Sequence, residues 1–566
     1  MKNTFTMVIN GETIIKNAYN KLIDGINYSV SFCGELYNKN ALRNITITRG
    51  YITDNTKDEE ILTILFHEFK EKMLEYINGV FSIVILDNST GKLFVAVDRL
   101  GVKPIYYSKL KNGYIISSTI KDILDTKLVT PVMTKQEVLE MFALGPSHIE
   151  AKTCLKDISS LKPGTFITIS NSSFNCQKYW SLKSKELNDT EDDVIYNTRY
   201  LVQDAMDKQY TDGDSCMLSG GLDSTILTTL AVKKNRNIKT YSIDYVGNDE
   251  DFTGSSYQTT KDSDFISLVQ SKLKTNNTKI LVDSTDLFNT LKDSTIAREA
   301  PGMADVDSSM LIFAREIAKK EQNIISGECS DEIFGGYPWY YKEHLKNTSG
   351  FPWALSENLR QNLINPSMFS SNDIEQFIKH VKENSLTEVE HISNDSFENE
   401  FRDLNYLTIK HFMPTLIERG ERLAKSCDLN IKMPYADYRI FEYVYNVSGK
   451  LRLGNTTPAS EKYILKEAFK DIIPKEIIER KKSPFPKTYN PKYLELVEKE
   501  IIKILNNETS RILEIVNKDY IINLVKTHGE NIHENLFGQL MTYPQTLAYL
   551  IQIEYFLEYF NVEIKK

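Results

Sequence analysis

The chain has 566 residues, 41% hydrophobic and 26% charged, and at least two domains are expected because single hydrophobic cores stop growing at about 250–300 residues. Its formal net charge of −9, without a long basic run, argues against nucleic-acid binding, which usually requires a basic face. No apolar run is long enough to cross a bilayer or to serve as a signal peptide, so we expect no membrane association and a cytoplasmic location.

Short β-prone runs, several bounded by Gly, Asn or Asp, predict a strand-rich region over about the first 180 residues. The predicted strands are Tyr28–Phe32, Gly79–Asp87, Lys92–Val97, Tyr114–Ser118 and Thr165–Ile169. The polar and charged stretch Lys183–Asp193 follows and has the composition of a linker. We therefore predict an N-terminal domain over residues 1–185 and a second domain over residues 195–566.

Strands and helices alternate after the linker, which is typical of a parallel sheet covered by helices on both faces. The predicted order is helix Val194–Gln209, strand Ser215–Leu218, helix Ser224–Lys233, strand Lys239–Tyr245, helix Asp262–Lys274, strand Lys279–Val282, helix Ser308–Lys320 and strand Asn323–Ser326. From about residue 355 onward the pattern is mostly helical. The fold class predicted for the second domain is therefore α/β with a helical C-terminal part.

The strand Ser215–Leu218 leads into a Gly-rich turn with the sequence LSGGLDS before the next helix. Parallel sheets place phosphate sites at such junctions, where adjacent glycines aim backbone N–H groups at an anion and the helix N-terminus adds positive potential. Ser219 and Ser224 supply hydroxyl donors, whereas Asp223 favours a phosphate only if it holds a magnesium ion. A loop that merely ends a strand explains the glycines but not these three polar residues.

This turn is not a Walker loop, because it lacks the Lys of that motif. It resembles the pyrophosphatase loop of enzymes that split ATP into AMP and pyrophosphate, among them argininosuccinate synthetases, GMP synthetases and tRNA-modifying thiolases. The resemblance implies that ATP binds here, but the loop alone does not identify the second substrate.

A second motif, Ser326–Tyr337 with the sequence SGECSDEIFGGY, follows another predicted strand. Glu328, Asp331 and Glu332 repel one another unless cations or protons separate them. An acidic helix N-terminus explains Asp331 and Glu332 but not the Ser-Gly-Glu before them or the Gly-Gly after them. The segment therefore indicates a binding site.

The segment SGECSDEIFGGY resembles the S-G-E-x-x-D-E-x-F-G-G-Y motif of glutamine-using asparagine synthetases. The resemblance continues through Ile478–Lys487 (IERKKSPFPK) and Gly302–Ser309 (GMADVDSS), and it extends from about residue 30 to the C-terminus. It implies an N-terminal Ntn-type α/β/β/α sandwich followed by a parallel α/β ATP pyrophosphatase domain. It also implies an enzyme that activates a carboxylate as an acyl-adenylate and transfers the acyl group to ammonia, with aspartate favoured as the carboxylate and asparagine as the product.

The resemblance assigns roles to individual residues, with ATP and Mg²⁺ as the expected cofactors. The pyrophosphate would be bound by Ser219, Gly220, Gly221, Leu222, Asp223 and Ser224, and the adenosine would lie against Leu218, Ile243 and Gly327. Ser326 would also belong to the ATP-binding residues. Asp223 and Asp331 would hold Mg²⁺. Glu328 would face the reacting acyl group and guide the amine. Lys482 would neutralise charge that builds on the α-phosphate.

The N-terminal domain resembles the glutaminase half of the same family at Cys33–Asn38 (CGELYN) and Val97–Pro104 (VDRLGVKP). That half uses a cysteine at position two with its own amine as base, whereas Lys2 stands here. The R-G-P-D loop that grips glutamine has no counterpart, and Cys33 replaces an oxyanion-binding Asn. Cys33 lies inside a predicted strand, so we interpret it as a buried structural cysteine and predict no glutaminase nucleophile.

The segment Leu429–Tyr435 departs from the family pattern L-E-x-R-V-P-F, because Asn430 replaces a carboxylate and Lys432 replaces a guanidinium. Lys does not reproduce the bidentate hydrogen bonding of Arg, so a pair between these positions would be weakened on both sides. The resemblance places this region at the acyl-substrate pocket, and the identity of the carboxylate therefore stays open.

Three functions remain open from the sequence. The first is an asparagine synthetase-like enzyme that takes free ammonia or ammonia from a separate glutaminase, and a homodimer is compatible with it. The second is a specialised amide-, lactam- or peptide-cyclising enzyme, as in β-lactam synthetases and lasso-peptide cyclases. The third, a non-catalytic paralogue, is disfavoured because Asp223, Glu328, Asp331 and Lys482 are all retained. The similarity of the C-terminal half to asparagine synthetases favours the first.

Overall fold

The structure is a computed structural model that describes residues 5–9, 12–51, 57–170, 173–248, 260–342, 348, 350–454, 459–530, 532 and 534–565, so that Lys2 lies outside the described residues. It divides into two compact units, the first formed by Met1–Val132 and Glu150–Leu182 and the second by Met133–Ile149 and Lys183–Lys566. The sequence predicted that the chain passes from the first domain to the second only once, near residue 185. The segment Met133–Ile149 belongs to the second unit because its helix packs against helices of that unit. No helix among the described ranges is long and apolar enough to span a bilayer.

The strands of the first unit form two antiparallel sheets. In chain order the strands before Lys183 are β1 (Phe5–Ile9), β2 (Glu12–Ile15), β3 (Tyr19–Ile23), β4 (Ile26–Leu36), β5 (Gly79–Asp87), β6 (Lys92–Val97), β7 (Tyr106–Leu110), β8 (Gly113–Ser117), β9 (Val132–Thr134, at the unit boundary), β10 (Ser159–Ser160), β11 (Thr165–Ser170) and β12 (Ser173–Lys178). One sheet has the strand order β10-β7-β8-β1-β2, and the other has the order β12-β11-β6-β5-β4-β3.

Period-two alternation along β5 builds the layers of this unit. Ile83 and Ile85 point into a core shared with helices on one face of the six-stranded sheet, while Val84 and Leu86 point into a core that includes residues of the five-stranded sheet. The helices of the unit are α1 (Lys39–Thr48), α2 (Asp58–Phe69), α3 (Met73–Tyr76) and α4 (Ile120–Asp125), the last of which packs on β7 and β8. The α/β/β/α order implied by the resemblance is thus confirmed.

A loop built around Asp98 connects β6 to β7. The Asp98 carboxylate is buried and accepts hydrogen bonds from the backbone N–H groups of Phe81, Leu100, Val102 and Lys103 at 3.0–3.1 Å. A carboxylate that receives this many N–H donors organises the surrounding backbone, because each buried N–H would otherwise lack a partner. The DRLG motif therefore has a structural role within the first unit.

Five parallel strands form the sheet of the second unit. They are β13 (Ser215–Met217), β14 (Lys239–Tyr245), β15 (Asn276–Val282), β16 (Asn323–Ile325) and β17 (Asn430–Lys432), and a short strand β18 (Glu563–Lys565) follows near the C-terminus. Their order is β15-β14-β13-β16-β17, with parallel pairing throughout. The chain therefore grows outward from β13 first to one side and then to the other, which creates a switch point beside β13.

Helices make up most of the rest of this unit, as the sequence predicts. They are α5 (Lys135–Leu144), α6 (Glu191–Gln209), α7 (Leu222–Lys234), α8 (Asp262–Leu273), α9 (Ser284–Asn289), α10 (Leu291–Arg298), α11 (Asp305–Ala318), α12 (Ser330–Phe334), α13 (Glu357–Leu363), α14 (Asp373–Leu386), α15 (Ser396–Leu407), α16 (Met413–Lys425), α17 (Tyr438–Val444), α18 (Gly449–Arg452), α19 (Tyr463–Phe469), α20 (Lys475–Glu479), α21 (Lys492–Asn506), α22 (Lys518–Lys526) and α23 (Tyr543–Tyr559). The end of the predicted linker starts α6, since Thr190 and Asp193 form a capping box there.

Candidate active site

The carboxyl ends of β13, β14 and β16 meet beside the switch point of the parallel sheet, where ligands of open α/β sheets bind. A cavity of about 200 Å³ lies at this edge. The strand ends contribute Met217, Leu218, Tyr241, Ser242, Ile243, Ser326 and Gly327 to its lining. The three residues that sequence resemblance placed against an adenosine, Leu218, Ile243 and Gly327, therefore line one cavity.

The Gly-rich turn forms one wall of this cavity. Gly220 has a φ of +71°, and a Cβ atom there would lie 2.8 Å from the backbone nitrogen of Ile266, so only glycine fits. The hydroxyls of Ser219 and Ser224 lie 3.0 Å apart, and Gly221 is the N-cap residue of α7. Two hydroxyls and the first N–H groups of a helix thus border the cavity together, which is a suitable donor set for a phosphate.

Asp223 lies in the first turn of α7 and Asp331 in the first turn of α12, and both contact a lysine that the sequence patterns did not single out. Lys462 Nζ lies 2.7 and 2.6 Å from the two carboxylate oxygens of Asp223 and 2.5 Å from Oδ1 of Asp331. The other oxygen of Asp331 accepts a hydrogen bond from Lys482, and Ser330 donates one to Asp223 at 2.7 Å. The two predicted magnesium ligands therefore lie at one place.

Electrostatics keep this cluster ionised. Burial alone would raise the pKa of Asp331, but the ammonium groups of Lys462 and Lys482 outweigh burial and lower it to about 2. Burial likewise favours a lower pKa for Lys462, but the charges of Asp223 and Asp331 raise it. The four side chains carry two negative and two positive charges, and this balance lets them lie together in a largely enclosed site.

The donor set fits a magnesium ion that also binds a nucleotide. Mg²⁺ is usually held by one or two carboxylates together with substrate phosphates, and Asp223 and Asp331 supply two carboxylates beside the phosphate-binding turn. Within the described part of the chain, no group of three or more His, Cys, Asp or Glu side chains is arranged to hold a metal on its own. The residues therefore suit a metal whose remaining ligands come from the substrate.

Glu328 lines the same cavity and is oriented by a buried arginine. Arg419 of α16 donates to Oε1 of Glu328 at 2.7 Å, and its guanidinium lies 5.3 Å from the ring centre of Phe485. Met303 also contacts Arg419, with its sulfur 3.8 Å from the guanidinium. The cavity lining also contains the apolar side chains of Phe313, Phe412, Leu416 and Leu540.

Glu332, the third acid of the SGECSDE segment, points away from the cavity. Its carboxylate accepts a hydrogen bond from the hydroxyl of Tyr337 at 2.5 Å, and burial together with the charge of Asp331 raises its pKa to about 7. Lys482 lies 5.5 Å from the ring centre of Tyr337. The three neighbouring acids are thus separated by a guanidinium, two ammonium groups and a hydroxyl.

The segment Ile478–Lys487 lies along the cavity and brings Arg480 and Lys482 to it. Arg480 donates to the carbonyl of Gly220 at 3.0 Å, forms an ion pair with Asp262 and stacks over Phe265 with 4.1 Å to the ring centre. These contacts fix the glycine turn against α8. Arg480 therefore supports the geometry of the turn, whereas Lys482 faces the carboxylate cluster.

The GMADVDSS segment contributes Met303 to the cavity lining. Arg298 and Asp307 are fully buried and form an ion pair at 3.1 Å, and Gln552 accepts hydrogen bonds from the backbone N–H groups of Gly302 and Ala304 at 3.2 and 3.1 Å. These bonds hold the loop that presents Met303 to the cavity. The segment therefore shapes the wall next to Arg419.

Most of the predicted site residues line the cavity. They are Leu218, Ser219, Gly221, Asp223, Ser224, Ile243, Ser326, Gly327, Glu328, Asp331 and Lys482. Gly220 and Leu222 are not in the lining, since Gly220 turns the backbone and Leu222 begins α7. Lys462 and Arg419 were missed because each lies in a segment without a recognisable motif, and only chain folding brings them to the site. Arg480 lies in the segment Ile478–Lys487 that the resemblance identified, but no role was predicted for it.

The expectation for Asn430 and Lys432 is wrong. Asn430 donates to Asn323 at 3.1 Å, while Lys432 binds Asp214 at 2.7 Å, so the two residues do not pair. Neither lines the cavity. Residues two apart on a strand share a face, and on β17 that face contacts the start of β16 and the segment before β13. The substitutions at these positions therefore do not bear directly on the carboxylate substrate.

Comparisons with known proteins agree with this division of the chain. The family model for asparagine synthase matches residues 197–558, and the model for a glutamine amidotransferase domain matches residues 23–180. The chain is 34% identical over 548 residues to "Asparagine synthetase [glutamine-hydrolyzing] 3" of Bacillus subtilis, covering 95% of this chain and 88% of that protein. It is 23% identical to "Asparagine synthetase [glutamine-hydrolyzing] 1" of the same organism, covering 90% and 83%. It is also 23% identical to "Amidase chry2" of Gibberella zeae, covering 76% and 72%.

Proposed function

This chain belongs to the asparagine synthetase family, and we propose that it makes asparagine from aspartate, ammonia and ATP. As a member of that family it is a ligase that forms a C–N bond and converts ATP to AMP and pyrophosphate. The observation that carries the proposal is that a pyrophosphatase-type turn, Lys482 and Glu328 border one cavity. We expect the reaction to take place in the cytoplasm, where aspartate and ATP are supplied.

The first step activates the carboxylate. An oxygen of the aspartate β-carboxylate attacks the α-phosphorus of ATP, and the bond from that phosphorus to the pyrophosphate breaks. Ser219, Ser224 and the N–H groups at the start of α7 bind the departing pyrophosphate. Lys482, held beside the turn by Asp331, stabilises the charge that develops on the α-phosphate. Asp223 and Asp331 would hold Mg²⁺, which neutralises phosphate oxygens when it is bound.

The second step forms the amide. Ammonia attacks the acyl carbon, loses one proton and displaces AMP, which leaves on its phosphate oxygen. Glu328 is the carboxylate placed to orient the ammonia and to accept that proton, because Arg419 fixes its Oε1. The apolar lining around it limits water, which would otherwise hydrolyse the acyl-adenylate.

The test is to incubate the purified protein with ATP, Mg²⁺ and single candidate carboxylates and to measure ATP–pyrophosphate exchange. Aspartate should support exchange, and adding ammonium should yield asparagine and AMP in equal amounts. Formation of ADP and phosphate would contradict the assignment of the turn. Exchange with another acid but not with aspartate would contradict the substrate assignment and favour a specialised amide synthetase.

We also propose that this chain does not hydrolyse glutamine, although the Bacillus subtilis relatives described above are named as glutamine-hydrolysing enzymes. Cys33 is only 4% exposed, lies inside β4 and is paired in register with Ser82 of β5. A nucleophile needs access to substrate and a base, and a buried thiol on a paired strand has little access. Free ammonia, or ammonia from a separate glutaminase, is then the nitrogen source.

Labelled glutamine supplied to the pure protein provides the test. We expect no labelled glutamate, and we expect asparagine formation to rise with ammonium but not with glutamine. Glutamate that disappears in the Cys33→Ala variant would overturn the proposal and identify Cys33 as the nucleophile.

A further inference from the structure

Lys462 occupies the position between the two carboxylates assigned to magnesium. Its ammonium nitrogen lies within 2.7 Å of both oxygens of Asp223 and 2.5 Å from Oδ1 of Asp331. The ammonium donates hydrogen bonds to both oxygens of Asp223 and forms an ion pair with Oδ1 of Asp331. The side chain is 4% exposed, so it is held in this position rather than projecting into solvent.

The surrounding backbone is built to place this lysine. Lys462 itself has a left-handed backbone conformation, with a φ of +54°, at the residue that precedes α19. Gly336 lies against both members of the contact, because a Cβ atom there would collide with the Asp331 carboxylate and with Cε of Lys462. A strained residue beside a required glycine indicates that the position of the ammonium is specified and not incidental.

The net charge around Asp223 and Asp331 determines which ligand can replace the Lys462 ammonium. Asp223 and Asp331 carry two negative charges, and Lys462 and Lys482 carry two positive charges, so the cluster is neutral. A divalent cation added alone would lie beside two ammonium groups and gain little net attraction, because the charges of the carboxylates are already balanced. A triphosphate brings more negative charge than the metal brings positive charge, and it offers Lys462 new oxygen acceptors.

We propose that Lys462 stands in for magnesium in the nucleotide-free protein, and that the metal is bound only together with ATP, when this ammonium moves from the carboxylates to the phosphates. The inference rests on the proposed function for its choice of nucleotide. Lys462 is then a positioning residue that keeps Asp223 and Asp331 close together before substrate binds. Two like charges in an enclosed site would otherwise separate or take up a proton.

The experiment measures binding of Mn²⁺, as a paramagnetic substitute for Mg²⁺, to the full chain without nucleotide. Free Mn²⁺ is followed by electron paramagnetic resonance. The wild-type protein should bind weakly, and a non-hydrolysable ATP analogue should tighten binding at least tenfold. Lys462→Met should bind Mn²⁺ at least about tenfold more tightly than wild type in the absence of nucleotide, because a unit charge beside the ion has been removed.

Matched variants localise the effect. Lys462→Arg keeps the charge and should bind Mn²⁺ as weakly as wild type. Lys466 lies in α19, the helix that Lys462 precedes, and it pairs with Glu461 at 3.5 Å. Lys466→Met should also behave as wild type. Combining Lys462→Met with Asp331→Asn should abolish the gain. These comparisons separate the proposal from a general change of surface charge.

Wild-type protein that binds Mn²⁺ equally tightly with and without the ATP analogue would overturn the proposal, and this measurement does not depend on whether Lys462→Met folds. A folded Lys462→Met protein that binds Mn²⁺ no more tightly than wild type would overturn it too. No turnover of aspartate is needed, so failure to make asparagine would reject the proposed substrate while leaving this inference standing.

Discussion

Asp98 in the first unit and Asp331 in the second are both buried carboxylates in motifs that resemble one enzyme family, but their partners differ. Asp98 accepts hydrogen bonds from four backbone N–H groups of its own loop and of β5. Asp331 accepts its contacts from the side chains of Lys462 and Lys482, which come from segments far along the chain. Backbone partners cannot leave without unfolding the loop, whereas ammonium groups on flexible side chains can exchange for a ligand.

The different partners of Asp98 and Asp331 show that a sequence motif can be present without an active site. In the first unit the DRLG residues hold the loop around Asp98, and Cys33 is buried on β4 beside β5. In the second unit the preserved residues line a cavity, and their charges balance only as a group. Substitutions should therefore affect stability in the first unit and chemistry in the second.

The largest expected effect is loss of turnover on replacing a cluster carboxylate. Asp331→Asn and Asp223→Asn should each abolish AMP formation, because the proposed magnesium site would lose charge and Lys462 would lose a partner. Far-ultraviolet circular dichroism should show retained secondary structure. If either variant formed AMP at a near-normal rate, the two carboxylates would not take part in the reaction. The contrast between a structural Asp98 and a functional Asp331 would then be wrong.

Lys482→Ala should slow aspartate-dependent pyrophosphate exchange by roughly 10²- to 10³-fold, which is typical for loss of one electrostatic donor in an active site. The neighbouring Lys481 is exposed, so Lys481→Ala is the matched control and should exchange at the wild-type rate. If the two variants were affected equally, the basic run would act through its overall charge and not through the contact between Lys482 and Asp331.

Asp98→Asn should destabilise the first unit by about 3 kcal/mol, because an amide offers fewer acceptor sites to the four N–H donors. The loss would be measured as a lower urea midpoint for unfolding of the protein. At a temperature where the variant is folded, its rate of asparagine formation from ammonium should match wild type. A specific loss of synthesis in the folded variant would show that this loop contributes to the reaction.

The smallest expected effect is that of Cys33→Ala. Asparagine formation from ammonium should be unchanged, and stability should fall by about 1 kcal/mol because a small buried side chain is shortened. Glutamine should produce no glutamate before or after the substitution. A change in the ammonium-dependent rate would mean that the strand around Cys33 has a role beyond packing in its sheet.

Sequence patterns were sufficient to predict several of the regular strands of the fold. The predicted strands Gly79–Asp87, Lys92–Val97 and Lys239–Tyr245 coincide with β5, β6 and β14, because each is an apolar, β-prone run bounded by turn residues. The three-residue strand β17 escaped prediction, since its place in the sheet comes from pairing with β16, which is distant in the sequence. Short edge strands depend on tertiary partners more than on local preference.

The sequence by itself also determined the class of chemistry, because LSGGLDS and SGECSDEIFGGY are contiguous and each contains most of its functional groups. Only the tertiary structure decided that Lys462 lies between Asp223 and Asp331, that Arg419 orients Glu328, and that Asn430 and Lys432 lie away from the cavity. These facts depend on which distant segments meet in space. A single lysine or arginine in a helix looks the same in sequence whether it faces solvent or a buried carboxylate, and folding alone distinguishes the two.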